Sequence, residues 1–162
     1  MKLYLAGPDV FRPDALAWAE EARALCASFG HQALIPLDNE ETTAQGIYRA
    51  NLELIRAADG VVANLNPFRG LEPDSGTCVE VGIALALGKS VFGYLEDARP
   101  LAERVAATQG SALSACNGRP TDRDGLHVED FGLPLNLMLA VPVRLVAGGL
   151  KDALAALTAN RG

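Results

Sequence analysis

The stretch GVVANLNPFRGLEPDSGTCVEVGIALALGKSVFGYL, residues 60–95, contains the pattern that sets the architecture of the chain. It starts with an apolar, partly β-branched run at residues 60–65, which is typical of a central strand. A polar loop leads into a segment with the Ala, Leu and Val content of a buried helix. This segment stops at Gly88, and residues 90–95 form a second apolar run. The order predicts a βαβ unit with two parallel strands.

The alternation of strands and helices continues on both sides of this unit. Apolar spacing and Gly or Pro stops predict strands at residues 2–6 and 31–36, a last strand or its flank at 141–147, helices at 14–29, 44–57 and 150–160, and one more helix beginning after Pro134. The sequence therefore predicts one α/β domain over residues 1–162. Its expected fold is a doubly wound, flavodoxin- or Rossmann-like, mainly parallel five-stranded sheet with helices on both faces.

In such a fold the loops after the carboxyl ends of the strands hold the ligand. Residues 4–9, 36–40 and 64–75 are therefore expected to lie at one edge of the sheet. Residues 110–130 interrupt the alternating order, because they are rich in Gly, Asn, Asp, Arg and Ser and show little periodicity. This composition predicts a mobile loop.

Charge and cysteine content disfavour several classes of function. The net charge of −6 over 162 residues argues against a partner such as a nucleic-acid polymer, which needs clustered Lys and Arg. No apolar run is long enough for a membrane span, and residues 1–11 fit a first strand better than a signal peptide. The three cysteines lack metal-binding or disulfide spacing, so we expect no metal site and a cytoplasmic location.

Glu80 lies in the otherwise apolar helix and has two explanations. Thr77 and Glu80 match a capping box, in which Thr77 caps the helix and Glu80 reaches back to the N–H of the cap. Alternatively Glu80 is catalytic, since the helix dipole favours an ionised carboxylate in the first turn, and such a carboxylate is the nucleophile of covalent glycosyl transfer. Asp74 is either a turn or cap residue or a second carboxylate at the same ligand. A buried Tyr4 hydroxyl would need a partner such as Glu80.

Further polar side chains are candidates for the same site. Three polar residues follow the second strand: Asp38, Asn39 and Glu40. They either form hydrogen bonds with the polar edges of a heterocycle or form an Asx turn. Asn51 lies beside apolar residues of the second helix, where most such side chains simply face solvent. Asn136 is flanked by apolar residues on both sides and must find partners if it is buried.

The glycine-rich phosphate signatures are absent from the chain. Neither G-x-G-x-x-G nor G-x-x-x-x-G-K-[ST] occurs, which disfavours a dinucleotide or ATP, and we expect no cofactor. Arg12 and Arg69 lie in loops at the ligand edge and leave a single phosphate group open as part of a ligand.

Four segments carry a family resemblance: YLAGPDVF at 4–11, IPLDNE at 35–40, NPFRGLEPDSGTCVEVG at 66–82 and FGLPLNLML at 131–139. In this order they resemble the nucleoside 2-deoxyribosyltransferases over most of the chain, though not at residues 110–130. The resemblance implies transfer of a 2-deoxyribosyl group between purine or pyrimidine bases. The substrates would be 2'-deoxynucleosides and free nucleobases, as in nucleoside salvage.

The resemblance also implies roles for individual residues. Glu80 is similar to the family's nucleophile, which forms a deoxyribosyl ester, and Tyr4 to the tyrosine that orients it. Asp74 matches a second acidic position near the sugar and its proton transfer. Asn136 resembles an asparagine that a neighbouring subunit contributes to the sugar's hydroxyl, which implies a homo-oligomer, either a dimer or a hexamer. The same resemblance assigns substrate binding to Phe11, Asp38, Asn39, Glu40, Asn51 and Met138.

Two positions depart from the pattern, since some family members carry Asp in place of Asn51 and Gln in place of Glu40. An amide cannot donate a proton as a carboxylic acid does, so Asn51 is expected to hydrogen-bond the base. Two other functions stay open. One is a 2'-deoxynucleoside 5'-monophosphate N-glycoside hydrolase, which would need a phosphate pocket in the first loop. The other is a nucleoside-binding module without catalysis.

Overall fold

The structure, a computed structural model, describes residues 1–160, and strands and helices alternate along most of this length. The strands are β1 (Lys2–Ala6), β2 (Gln32–Leu34), β3 (Gly60–Asn64), β4 (Ser90–Leu95), β5 (Ser114–Cys116), β6 (Arg119–Thr121) and β7 (Arg144–Ala147). The helices are α1 (Ala15–Ser28), α2 (Ala44–Ala57), α3 (Ser75–Ala86), α4 (Leu101–Gln109), α5 (Leu137–Ala140) and α6 (Leu150–Ala159). A 3-10 turn at Pro8–Phe11 follows β1.

Five strands form one parallel sheet in the order β2-β1-β3-β4-β7. Tyr4 of β1 lies between Leu34 of β2 and Val61 of β3 in the register of the sheet. The strand order runs outward in opposite directions from β1 and β3, so the topological switch point, where such folds bind ligands, lies between these two strands. The predicted doubly wound, five-stranded sheet is confirmed.

Apolar layers cover both faces of the sheet. Successive side chains of a strand point to opposite faces, so Leu3 and Leu5 of β1 join the layer under α1 and α6. Tyr4 and Ala6 join the layer under α2 and α3. The tyrosine hydroxyl is therefore directed to the side of the sheet on which the apolar helix of residues 75–86 packs.

Residues 101–130 contain structure that the sequence pattern did not predict. Residues 101–109 form helix α4, and β5 and β6 form an antiparallel hairpin in place of the expected loop. The turn residues Asn117 and Gly118 have φ angles of 51° and 74°. A two-residue hairpin loop favours a turn in which both central residues have positive φ. Asn-Gly is the strongest sequence signal for such a turn. Within residues 1–160, no helix is both long and apolar enough for a membrane span.

Candidate active site

A cavity of about 380 Å³ opens at the switch point of the sheet and is called the Glu80 cavity below. The loops after β1 and β2 form one side of it, and α2 and the start of α3 form the other. This is the edge at which the sequence predicts the ligand. The lining residues are Gly7, Val10, Phe11, Pro36, Leu37, Asn39, Glu41, Ile47, Asn51, Asp74, Gly76, Thr77 and Glu80.

Glu80 is held by side chains from two other elements. The Tyr4 hydroxyl donates a hydrogen bond of 2.6 Å to Glu80 Oε1. The Asn51 amide donates a longer one, of 3.5 Å, to the same oxygen. The second carboxylate oxygen, Oε2, accepts no hydrogen bond from residues 1–160 and is free for a ligand. Tyr4 is fully buried, so this arrangement satisfies a hydroxyl that would otherwise be unpaired in the core.

Burial controls the protonation of this pair. Burial and, less strongly, the charge of Asp74 raise the pKa of Glu80, whereas the hydrogen bonds from Tyr4 and Asn51 lower it, and the outcome is a pKa of about 7. The pKa of Tyr4 is raised by burial and by Glu80, so Tyr4 stays a hydrogen-bond donor. Glu80 therefore changes charge near neutral pH, whereas the sequence argument expected a helix dipole to keep it ionised.

The predicted capping box at the start of α3 is wrong. The helix begins at Ser75, and Asp74 is its cap: Asp74 Oδ2 accepts hydrogen bonds from Thr77 N at 2.9 Å and from Thr77 Oγ1 at 3.1 Å. An Asp caps a helix at least as well as a Thr, so the earlier of the two candidates takes the cap. Glu80 consequently lies in the second turn, with its carboxylate free to face the cavity.

Asp74 is the cap that one of the two sequence explanations expected, and it also lies at the wall of the Glu80 cavity. One of its carboxylate oxygens caps α3, and the side chain also lines the Glu80 cavity. Its other oxygen, Oδ1, accepts no hydrogen bond within the described part of the chain. The cap thus places a carboxylate with a free oxygen beside Glu80.

The three polar residues after β2 separate in the structure. Asn39 lines the cavity, and its side chain forms the Asx turn, accepting from Glu41 N at 3.0 Å and donating to Pro36 O at 2.7 Å. Asp38 lies outside the cavity, where it accepts from Ile35 N at 2.8 Å and pairs with Arg23. Glu40 is exposed and is also outside. The turn brings Glu41 to the wall instead, which the sequence reasoning missed.

Phe11 lies at the mouth of the Glu80 cavity with 58% of its surface exposed. Its ring stacks on Phe68 with 5.5 Å between the centroids, and the Arg69 guanidinium lies 4.6 Å from the Phe68 centroid. Phe68 and Arg69 were not among the predicted site residues. Arg12 makes an ion pair of 2.9 Å with Asp14 at the surface.

Asn136 and Met138 line a different cavity, of about 790 Å³, which we call the Asn136 cavity. Helix α3 lies between the two cavities, since it contributes Glu80 to one and Cys78 to the other. Asn136 caps α5 by accepting from Met138 N at 3.0 Å. A single chain therefore does not bring Asn136 to its own Glu80 cavity.

The described residues 1–160 contain no group of three or more His, Cys, Asp or Glu side chains placed to bind a metal ion. The polar groups of the Glu80 cavity are carboxylates, amides and one hydroxyl. They are suited to a neutral or partly polar ligand that offers both donors and acceptors.

The order and placement of these residues agree with a comparison of the whole sequence. The family model described as nucleoside 2-deoxyribosyltransferase matches residues 3–138, which include every residue that the sequence predicted for the site. The chain belongs to the nucleoside 2-deoxyribosyltransferase family. The resemblance predicted from four short segments is confirmed.

Known structures show the same fold. The chain is similar to a 2-desoxiribosyltransferase from Leishmania mexicana, with 38% sequence identity, a TM-score of 0.81 and 99% of each chain covered. A 2-deoxyribosyltransferase from Bacillus psychrosaccharolyticus, at 22% identity and a TM-score of 0.50, covers 70% of this chain and 84% of its own. An uncharacterized protein of Schizosaccharomyces pombe is 32% identical over 165 residues, which are 90% of this chain and 78% of that protein.

Proposed function

We propose that this deoxyribosyltransferase-family protein moves the 2-deoxyribosyl group from one purine or pyrimidine base to another. The transfer proceeds through a covalent ester on Glu80 and retains the configuration of the sugar. The observation that carries the proposal is the 2.6 Å hydrogen bond from buried Tyr4 to Glu80, inside a cavity at the switch point of the sheet. It orients one carboxylate oxygen and leaves the other free to react.

In the first half-reaction Glu80 Oε2 attacks the anomeric carbon of a bound 2'-deoxynucleoside. The C–O bond of the ester forms as the C–N bond to the base breaks, and the departing base keeps the electron pair. The transition state has oxocarbenium character, which a carboxylate beneath the ring stabilises. The missing 2'-hydroxyl makes this cation easier to form, so the step needs no metal.

The departing base needs a proton on the nitrogen that it uncovers. The free Oδ1 of Asp74 at the cavity wall accepts a hydrogen bond from a bound water, and a proton from solvent reaches the base through this water. In the second half-reaction a new base attacks the ester from the face that the first base left, and its N–H proton returns to solvent through the same water. Glu80 leaves as a carboxylate, and two inversions give retention.

Asn51 is a candidate for holding the base. Its Oδ1 is buried and has no hydrogen-bond partner within residues 1–160, and the side chain lines the Glu80 cavity. A buried acceptor without a partner is costly unless a ligand supplies the donor. We assign it to an N–H group of the bound base.

Asn136 completes the site of a neighbouring subunit in this proposal, so the active form is a homo-oligomer. The separation of the two cavities by α3 supports this, because a single chain offers the nucleophile and the asparagine on different sides of one helix. We place the activity in deoxyribonucleoside salvage in the cytoplasm.

The test is to incubate the purified protein with 2'-deoxyinosine plus adenine, and with thymidine plus adenine, and to follow bases and nucleosides by chromatography. Deoxyadenosine that forms only when donor and acceptor are both present supports transfer. We expect Glu80→Ala to lose at least about 1,000-fold in rate. The control Glu103→Gln, which removes an exposed carboxylate on α4, should keep wild-type activity. Unchanged exchange in folded Glu80→Ala would overturn the assignment.

The same experiment separates the two other functions. Free deoxyribose with no new nucleoside would favour the N-glycoside hydrolase, and 2'-deoxynucleoside 5'-monophosphates would then be tried. The first loop offers Arg12 for a phosphate, but Asp14 already neutralises it, and Asp74 adds negative charge to the cavity. If the protein is a binding module without catalysis, nucleosides should raise its melting temperature and should not be consumed.

A further inference from the structure

The segment of residues 110–130, which carries none of the four family motifs, delivers one side chain to a residue of the proposed site. We propose that Glu129 is a positioning residue for deoxyribosyl transfer: it fixes the Asn136 side chain that completes the neighbouring subunit's site, and the β5–β6 hairpin holds Glu129 in place. The inference rests on the proposed function, since it gives Asn136 its part in the reaction.

Both carboxylate oxygens of Glu129 accept hydrogen bonds at the start of α5. Oε1 accepts from Asn136 Nδ2 at 2.7 Å, and Oε2 accepts from Leu137 N at 2.9 Å. Hydrogen bonds to a charged acceptor are shorter and stronger than neutral ones. The carboxylate therefore fixes the backbone and the side chain of the same turn.

These contacts set which way the Asn136 amide faces. A carboxylate only accepts hydrogen bonds and a backbone N–H only donates them. Nδ2 must therefore face Glu129, and Oδ1 must face Met138 N, 3.0 Å away. One N–H of the amide and one lone pair of its oxygen are left for a sugar hydroxyl.

The hairpin fixes the backbone that leads to Glu129. Thr121 of β6 is 5% exposed and forms a β-bridge with His127, and Val128 N donates to Pro120 O at 2.9 Å. These two contacts tie the backbone at residues 127 and 128 to β6. Glu129 is the next residue, so these contacts with β6 also restrict its backbone.

Helix α4 fixes the other side of Asn136. Leu101 N donates to Leu133 O at 2.8 Å. The Arg104 guanidinium, which is 2% exposed, donates to Pro134 O at 2.6 Å and to Leu71 O at 2.7 Å. Arg104 therefore connects the segment just before Asn136 to the loop that leads to the cap of α3. Glu129 is the contact that adds a defined side-chain orientation to this fixed backbone.

The first variant is Glu129→Gln, which keeps the size of the side chain. The glutamine amide has one oxygen that accepts and one NH2 group that donates. Since Asn136 Nδ2 and Leu137 N are both donors, one of them then faces the NH2 group, and one of the two hydrogen bonds is lost. The matched control is Asp130→Asn, a loss of the same charge at the next residue, whose exposed side chain makes no hydrogen bond in residues 1–160. We expect kcat/KM for 2'-deoxyinosine plus adenine to fall about 10- to 100-fold in the first variant and less than about 2-fold in the control.

A second measurement separates positioning from loss of stability. Wild type, Glu129→Gln and Asn136→Ala are assayed with 2'-deoxyinosine and with two analogues that lack its 3'- or its 5'-hydroxyl. If Glu129 acts through Asn136, both variants should lose activity with 2'-deoxyinosine and come within about 3-fold of wild type with one of the analogues. The double variant should be no slower than Asn136→Ala, because the two residues act as one unit.

Several results would overturn the inference. One is an equal loss with all three donors in Glu129→Gln, and another is full activity in that variant. A Glu129→Gln protein that no longer folds would assign Glu129 to stability instead. Wild type without base exchange would refute the proposed function itself. Wild type with exchange, combined with an unaffected Glu129→Gln, would refute only the role of Glu129.

Discussion

As the proposed nucleophile, Glu80 has to meet two opposing requirements. A nucleophile must be ionised, whereas burial beside apolar helices favours the protonated form. Burial raises the pKa of Glu80 and the hydrogen bond from Tyr4 lowers it. The resulting pKa of about 7 is close to neutral pH, where a small change in the surroundings alters the charge of Glu80. A bound cationic transition state would then favour the ionised form at the moment of reaction.

We expect this balance to appear in the pH dependence of transfer. In the proposed reaction Glu80 attacks as a carboxylate, so kcat/KM should fall about tenfold per pH unit below pH ~7. Tyr4→Phe removes a hydrogen bond that favours the ionised form, so the pKa of Glu80 should rise further and the acid limb should move to higher pH. The rate should also fall about 10- to 100-fold. Rates measured from pH 5 to pH 9 check both effects.

Tyr48→Phe is the control for this experiment, because it removes an exposed tyrosine hydroxyl from α2. Its profile should match that of wild type. An acid limb that stays in place in Tyr4→Phe, or one near pH 4.5 in wild type, would contradict the assigned coupling of Tyr4 to Glu80.

The start of α3 is the element that assembles the carboxylates. Its cap, Asp74, and its second-turn residue, Glu80, line the same cavity. A capping residue is usually a matter of stability alone. Here the cap also lines the cavity and leaves one oxygen without a hydrogen bond, so in the proposed function stability and chemistry depend on the same side chain.

Two substitutions at the cap separate these contributions. Asn caps a helix about as well as Asp, so Asp74→Asn should leave the melting temperature within about 2 °C of wild type while the rate falls about 100-fold. Asp74→Ala should lose activity and, in addition, about 1 kcal/mol of stability, which corresponds to about 2–4 °C. Calorimetry and the base-exchange assay measure the two effects.

Asp14→Asn serves as the control for the cap variants, since Asp14 occupies the cap position of α1 without a side-chain cap bond and outside the cavity. It should change neither rate nor melting temperature appreciably. An Asp74→Asn variant with wild-type rate would show that Asp74 is a cap and nothing more.

The whole molecule presents Glu80 and Asn136, the nucleophile and the sugar-binding residue of the proposed function, on opposite sides of α3. In a symmetric oligomer, a patch on each subunit can meet the site of its neighbour, so every site can be built from two chains. If Asn136 completes the site of a neighbouring subunit, as we propose, activity is a property of the assembly. It can be tested by mixing inactive chains.

We expect Glu80→Ala and Asn136→Ala, each inactive or weak alone, to recover activity when they are refolded together. A mixed pair then contains one site with an intact Glu80 from one chain and an intact Asn136 from the other. In random dimers, about a quarter of all sites would be intact. Glu80→Ala mixed with Glu80→Gln should recover nothing. Failure of the first mixture to gain activity, with mixed oligomers present, would place both residues in sites of a single chain.

Much of the architecture follows from local patterns. The predicted second helix, residues 44–57, coincides with α2, because Thr43 caps it and its apolar spacing is helical. The parallel sheet follows from the alternation of short apolar runs with helices. The turn at Asn117 and Gly118 was also present in the sequence as a hairpin signal, but the polar composition around it led to the expectation of a loop.

Other properties depend on contacts between distant residues. Asp74, Ser75 and Thr77 are all capping residue types, and the structure shows that Asp74 is the cap of α3. The pKa of Glu80 depends on its burial and on Tyr4, 76 residues away along the chain. Likewise Asp38 lies outside the cavity and pairs with Arg23 of α1, a contact between residues 15 positions apart.

Outside residues 101–130, the amino-acid order thus determines the helices, the strands with their parallel arrangement, and the family, because these depend on periodicity, turn residues and short motifs that are local in the chain. The folded chain determines which carboxylates share a cavity, how strongly Glu80 holds its proton, and that Asn136 lies across α3 from it. These depend on distance, burial and hydrogen bonding between segments far apart in sequence, and no local pattern encodes them.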